Sequence, residues 1–90
     1  MIVTIARVID PDRFLEVFET SGAEKRREHG CRGAWAYFDP DDAHRVWSVF
    51  DWDAEDYAGF LADPEVPAIA RLLGIEAPPV HAAPAAELDA

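Results

Sequence analysis

The chain has one cysteine and neither asparagine nor glutamine. A single thiol excludes an internal disulfide framework and any metal site built from several cysteines. Without side-chain amides, nothing of that type is available to hold a substrate oxygen. Basic residues are also few, 8 Lys and Arg against 18 Asp and Glu, for a net charge of −10 with histidine neutral. Phosphate binding needs a basic footprint, so nucleic acid and anionic membrane surfaces are excluded as partners. No run approaches the ~18 apolar residues of a membrane span, and no basic segment followed by an apolar core opens the chain. A cytoplasmic location is the expectation. Gly-rich phosphate loops, hydrolase elbows and zinc spacings are missing as well, so neither cofactor nor metal is expected.

What remains is 90 residues, half of them apolar and 29% charged. That is the composition of one globular domain with a thin stability margin, which self-association would help. Residues 1–9, MIVTIARVI, suit a strand. Both alternating sets, Ile2/Thr4/Ala6/Val8 and Val3/Ile5/Arg7/Ile9, are mostly apolar, whereas a strand covered on one side alternates apolar and polar. Its helices can cover one face; a second copy of the chain is the simplest cover for the other.

Asp10-Pro11 starts a helix that the spacing carries to about His29, with a buried first half (Phe14, Val17, Phe18) and a solvated second half. Gly22 interrupts it and Gly30 stops it. Residues 31–38 and 44–52 form a hairpin through the turn residues 39–43. Placing Phe38 opposite His44 pairs Tyr37 with Arg45 and Trp35 with Trp47. Trp35, Tyr37, Arg45 and Trp47 then share a bulky face, and Ala34, Ala36, Val46 and Ser48 a small one. Asp53 caps a second helix with the stripe Tyr57, Phe60 and Leu61; Asp63-Pro64 restarts it, and Gly74 ends it. A short edge strand fits residues 80–83, with a frayed tail at 85–90. The order β-α-β-β-α-β predicts an α+β, ferredoxin-like split βαβ domain over residues 1–84, its antiparallel sheet carrying both helices on one face. Two such sheets packed face to face give a homodimer.

The passage Val49-Phe50-Asp51-Trp52-Asp53-Ala54-Glu55-Asp56-Tyr57, followed by Phe60-Leu61-Ala62-Asp63-Pro64, resembles the strand-Trp-acidic-cap-helix passage of the antibiotic biosynthesis monooxygenase (ABM) superfamily of dimeric α+β barrels. The resemblance implies a pocket and a dimer. It does not carry over a mechanism. The haem-degrading branch takes an asparagine from its first strand, where this chain offers Thr4 and Ala6, and a tryptophan and a histidine where this chain has Phe60 and Ala70. The polyketide oxygenases often rely on an asparagine amide, which this chain lacks.

Two readings of the aromatic cluster stand side by side. In one, Trp35, Trp47 and Trp52 stack on a small aromatic or polyketide-like molecule and Arg45 pairs its oxyanion. Tyr37 or His44 then moves a proton in a cofactor-independent oxygenation. In the other, the same side chains fill a core or a dimer seam, Arg45 reaches an acid such as Asp39, Trp52 packs the strand end on the second helix, and the protein is a ligand-binding or structural dimer without chemistry. Isomerase or cyclase activity is a further option on such a fold. Asp39, Asp41 and Asp42 read as a solvated turn, because a calcium loop also needs a glycine and a distal glutamate.

Overall fold

The structure, a computed structural model, describes residues 1–76 and 79–82. Strand β1 (Ile2–Arg7) leads into helices α1 (Pro11–Glu19) and α2 (Ser21–Glu28). Strands β2 (Gly33–Asp39) and β3 (Asp42–Asp51) form the hairpin, followed by α3 (Ala54–Ala62), α4 (Val66–Leu73) and β4 (Val80–Ala82). The sheet runs β2-β3-β1-β4 with every pairing antiparallel. This α+β arrangement is compatible with the expected ferredoxin-like fold. Residue 83 of the expected last strand and the tail at 85–90 lie outside the described residues. No described helix is long and apolar enough to cross a membrane.

Alternation along the strands gives the sheet two unlike faces. Ile2, Thr4, Val46, Ser48 and Phe50 are buried beneath the helices with Phe14 and Phe18 of α1. On the other face Trp35, Tyr37, Trp47 and Val80 are 47%, 58%, 39% and 65% exposed. The hairpin register differs from the expected one by two residues: Tyr37 faces Trp47, Trp35 faces Val49, and Ala36 faces Ser48. The turn is tighter than the loop read from sequence, with Asp39 paired to Asp42 and an irregularity between Phe38 and Asp39. A shift of two leaves each residue on its face, so the bulky and small faces survive it.

The long helix breaks at Thr20 rather than at Gly22. Thr20 has φ −113° and ψ −96°, and its hydroxyl donates to the Glu16 carbonyl at 2.7 Å, a local bond that competes with continued helix. Nor is α2 solvated, since Gly22, Ala23, Lys25 and Arg26 are buried. Gly22 fits closely there. A Cβ at this position would stand 3.1 Å from both Arg26 Nη1 and the Val17 carbonyl oxygen. Asp10 caps α1 as expected, its Oδ1 accepting from the N–H groups of Asp12 and Arg13 at 3.1 and 3.2 Å. The Asp53 carboxylate makes no cap. It joins Asp51 in holding Arg32, with Nη2 at 3.2 and 3.0 Å from the two acids. The restart after α3 also differs: Asp63 Oδ1 accepts from the Glu65 N–H at 2.9 Å, and α4 begins at Val66 with Pro67 in its first turn. Pro67 lacks an N–H that this turn would leave free, so it starts the helix.

Trp52 locks the end of β3. It is 2% exposed, its Nε1–H donates to the His29 carbonyl at 2.8 Å, and Phe50, Tyr57 and Phe60 surround the indole at 5.7, 5.2 and 4.9 Å between ring centroids. Replacing it removes the largest buried side chain and leaves a helix-end carbonyl without its donor. Trp52→Ala is expected to lower unfolding stability by about 3–5 kcal/mol, the usual range for buried Phe and Trp truncations. Urea denaturation measures this, and a loss under about 1 kcal/mol would contradict the assigned role.

Candidate functional site

A cavity of about 140 Å³ lies between the small face of the sheet and the four helices. Thr4 and Ser48, cross-strand partners on β1 and β3, form its floor with Ala6. Phe14, Phe18, Phe50, Trp52, Tyr57 and Phe60 provide aromatic walls, Ile69 and Leu73 of α4 an aliphatic one, and the 55% exposed Leu61 marks its outer edge. Space exists because the floor residues are short while the aromatic walls set how far the helices stand off.

The polar groups on this lining are few. Thr4 and Ser48 are 7% and 5% exposed, and neither hydroxyl hydrogen-bonds another side chain among the described residues. Burial pushes the Tyr57 hydroxyl above its ordinary pKa, so it stays a neutral donor at physiological pH. Arg26 is 8% exposed; its Nη2 donates to the Phe18 carbonyl at 2.9 Å and its guanidinium carbon lies 4.1 Å over the Phe18 ring and 5.7 Å from that of Phe50. Desolvation lowers its pKa, though an arginine remains charged in any case.

Of the candidate catalytic and binding residues read from sequence, Trp52 alone lines the cavity, together with Thr4, Ala6, Phe60 and Ala70, the positions set against the haem-degrading branch. Trp35, Tyr37, Arg45 and Trp47 come together as expected, but on the opposite, open face of the sheet. Arg45 Nη1 lies 3.8 Å from Asp39 Oδ2, the partner foreseen for it in a structural role. His44 is held at the end of β1, its Nδ1 2.8 Å from the Val8 carbonyl oxygen, and lines neither cavity wall nor floor. The acids of the turn bond locally: Asp39 accepts from the Asp41 N–H at 2.9 Å, and Asp42 accepts from the His44 N–H at 3.0 Å while pairing Arg7 at 2.7 Å. The half-buried Cys31 thiol is 3.3 Å from the Gly33 carbonyl and pushed up in pKa by burial, which suits a structural thiol.

Arg26 was missed because a run of charged residues reads as a solvated helix face. A signal was present: Phe14, Phe18, Gly22 and Arg26 follow one another at intervals of four, the spacing of a single helix face. Compared with known proteins, the chain matches no family model and no curated sequence.

A second polar cluster ties α2 to the α3–α4 junction. Lys25 Nζ, whose side chain is 8% exposed, lies 2.8, 3.1 and 2.7 Å from Glu28, Asp63 and Glu65, and His29 Nε2 lies 2.9 Å from Asp63 Oδ2. Glu28, His29 and Asp63 could gather around a metal, but the Lys25 ammonium already stands where the cation would. His29, the Glu65 N–H and Lys25 together hold the Asp63 carboxyl well below the usual carboxylate range. A depressed folded-state pKa stabilises the fold above the unfolded value near pH 3.9 and is lost as pH falls through the folded value. Native protein is therefore expected to lose stability below about pH 4, and Asp63→Asn to flatten that acid limb of the profile. Urea midpoints taken from about pH 6 to about pH 2.5 check this; parallel profiles would detach Asp63 from the acid response.

Proposed function

We propose that the protein binds a single-ring aromatic molecule in the helix-side cavity, as one subunit of a homodimer closed through its open sheet face. The observation that carries this reading is the aromatic lining of the cavity, six aromatic side chains around a volume of about 140 Å³. An apolar cavity of ~150 Å³ accepts benzene, so one ring fits and a fused polyketide skeleton is too large. Trp35, Tyr37, Trp47 and Val80, with Val3, Ile5 and Val49 between them, then serve as the dimer seam and not as the substrate wall. A contiguous apolar surface of that kind on a small domain is a contact surface.

Cofactor-free oxygenation, as the resemblance to ABM barrels implies, is the second reading, and the cavity-lining Arg26 favours it. A guanidinium beside the bound ring can stabilise a substrate oxyanion. No carboxylate or imidazole lines the cavity among the described residues, so such a substrate would have to arrive as its own anion. Simple binding needs no such condition, which is why it stands first.

Calorimetric titration with phenol is expected to give saturable one-site binding per chain, while a tricyclic anthrone-like ketone is expected not to bind. Failure of phenol to bind to folded protein would remove the ligand reading. Light scattering at micromolar concentration in moderate salt is expected to give twice the chain mass, and Trp47→Glu to give the single-chain mass with an unchanged circular dichroism spectrum. A native protein of single-chain mass would remove the dimer.

A further inference from the structure

Resting on that reading of the cavity, we infer that Arg26 is its anion-recognition residue and that the ligand is a small aromatic carboxylate. The chain carries 18 acids against 8 lysines and arginines, so an arginine in it has carboxylates to spare. The others near the sheet use them: Arg7 pairs Asp42 and Glu76, Arg32 pairs Asp51 and Asp53, and Lys25 takes three acids. Arg26, more than nine-tenths buried, has no ion pair among the described residues, and its one hydrogen bond goes to the Phe18 carbonyl.

A buried charge is stable only when paired or well hydrogen-bonded. A guanidinium has five N–H donors, and one carbonyl engages one of them. Phe18 and Phe50, both cavity walls, flank the guanidinium, glycine at position 22 leaves room beside Nη1, and Arg26 lines both this cavity and a second opening edged by Arg27, Cys31 and Arg32. On the floor, the Thr4 and Ser48 hydroxyls add donors without side-chain partners. One part of an otherwise aromatic cavity therefore sets a cation near two hydroxyls, with no anionic group on the lining among the described residues. A carboxylate brings two acceptor oxygens in the geometry of the guanidinium fork, while the ring attached to it fills the aromatic remainder. The net charge of −10 disfavours anions at the surface, which makes a buried cation the feature that would select one.

Titration with benzoate and toluene, read by calorimetry and thermal shift, tests this. Native protein is expected to bind benzoate at least about tenfold tighter than toluene, the ratio that ~1.4 kcal/mol gives. In Arg26→Gln, which keeps an N–H for the Phe18 carbonyl, that ratio is expected to fall to about one with toluene binding retained. Benzoate is also expected to move the Arg26 side-chain 15Nε resonance of native protein, and toluene to leave it in place, a readout that holds even where the variant does not fold. Toluene binding with no benzoate preference, an unchanged ratio in the variant, or a stationary Arg26 resonance would overturn the anion site and leave the aromatic cavity standing. Binding of neither ligand would overturn both.

Discussion

The indole of Trp52 is the contact on which the rest of the arrangement depends. Its position immediately after β3 puts one ring in contact with three elements at once. The N–H closes the end of α2 through the His29 carbonyl, and the ring meets Tyr57 and Phe60 of α3 and Phe50 on the sheet, each in an edge-type arrangement. Buried tryptophan is stable only if its N–H finds an acceptor, and a helix C-terminus supplies carbonyls without intrahelical donors. Each need answers the other. Gly30 lets the chain turn directly after this contact, at φ 81°, and its neighbour Cys31 leads into β2.

With Trp52 fixing the distance of α3 from the sheet and the Lys25–Asp63 cluster fixing α2 against the α3–α4 junction, the helix layer cannot settle further onto the strands. The strands beneath carry Thr4, Ala6 and Ser48 where larger residues would fill the gap. Closely packed interiors leave few voids larger than a water molecule, so a space the size of an aromatic ring persists only where rigid walls meet a short floor. Large apolar residues are not scarce in this chain. They stand on the other side of the sheet, where Trp35, Tyr37 and Trp47 face outward. The uneven distribution of bulk between the two faces produces both a cavity and an exposed apolar surface.

Much of the fold was readable residue by residue because it follows short-range rules. Strand alternation assigned Trp35, Tyr37 and Trp47 to one face and Ala36, Val46 and Ser48 to the other, and a register displaced by two could not disturb that. Asp10 and Gly30 behaved as cap and stop. What escaped was decided between elements distant in sequence. The Asp53 carboxylate has a local use as a cap, but Arg32, 21 residues away, competes for it and prevails. Lys25 looks solvated until Asp63 and Glu65 arrive from the α3–α4 junction. The site was displaced for a related reason: aromatic residues drew attention to the bulky face, whereas a cavity needs small residues, and Thr4, Ala6 and Ser48 are inconspicuous in a sequence.

Arg26 is the one cation on the cavity lining among the described residues. The acids pair the exposed guanidinium groups of Arg7, Arg32 and Arg45, and such surface pairs form and break at little cost. Arg13, Arg26, Arg27 and Arg71 make no ion pair among the described residues, and of these four Arg26 alone is buried. Arg26 shares α2 with the buried Gly22 and Ala23, and its guanidinium lies over Phe18 of α1 and near Phe50 of the sheet, whose helix-facing residues on the cavity lining include Thr4 and Ser48. No acid lies on that lining among the described residues. An acid placed there would quench the guanidinium permanently, so its absence leaves the charge available to whatever enters. The cation–π contacts with Phe18 and Phe50 hold it without neutralising it. On the proposed reading, the cavity combines an aromatic wall that any ring satisfies with one charge that only an anion can, and selectivity comes from the charge.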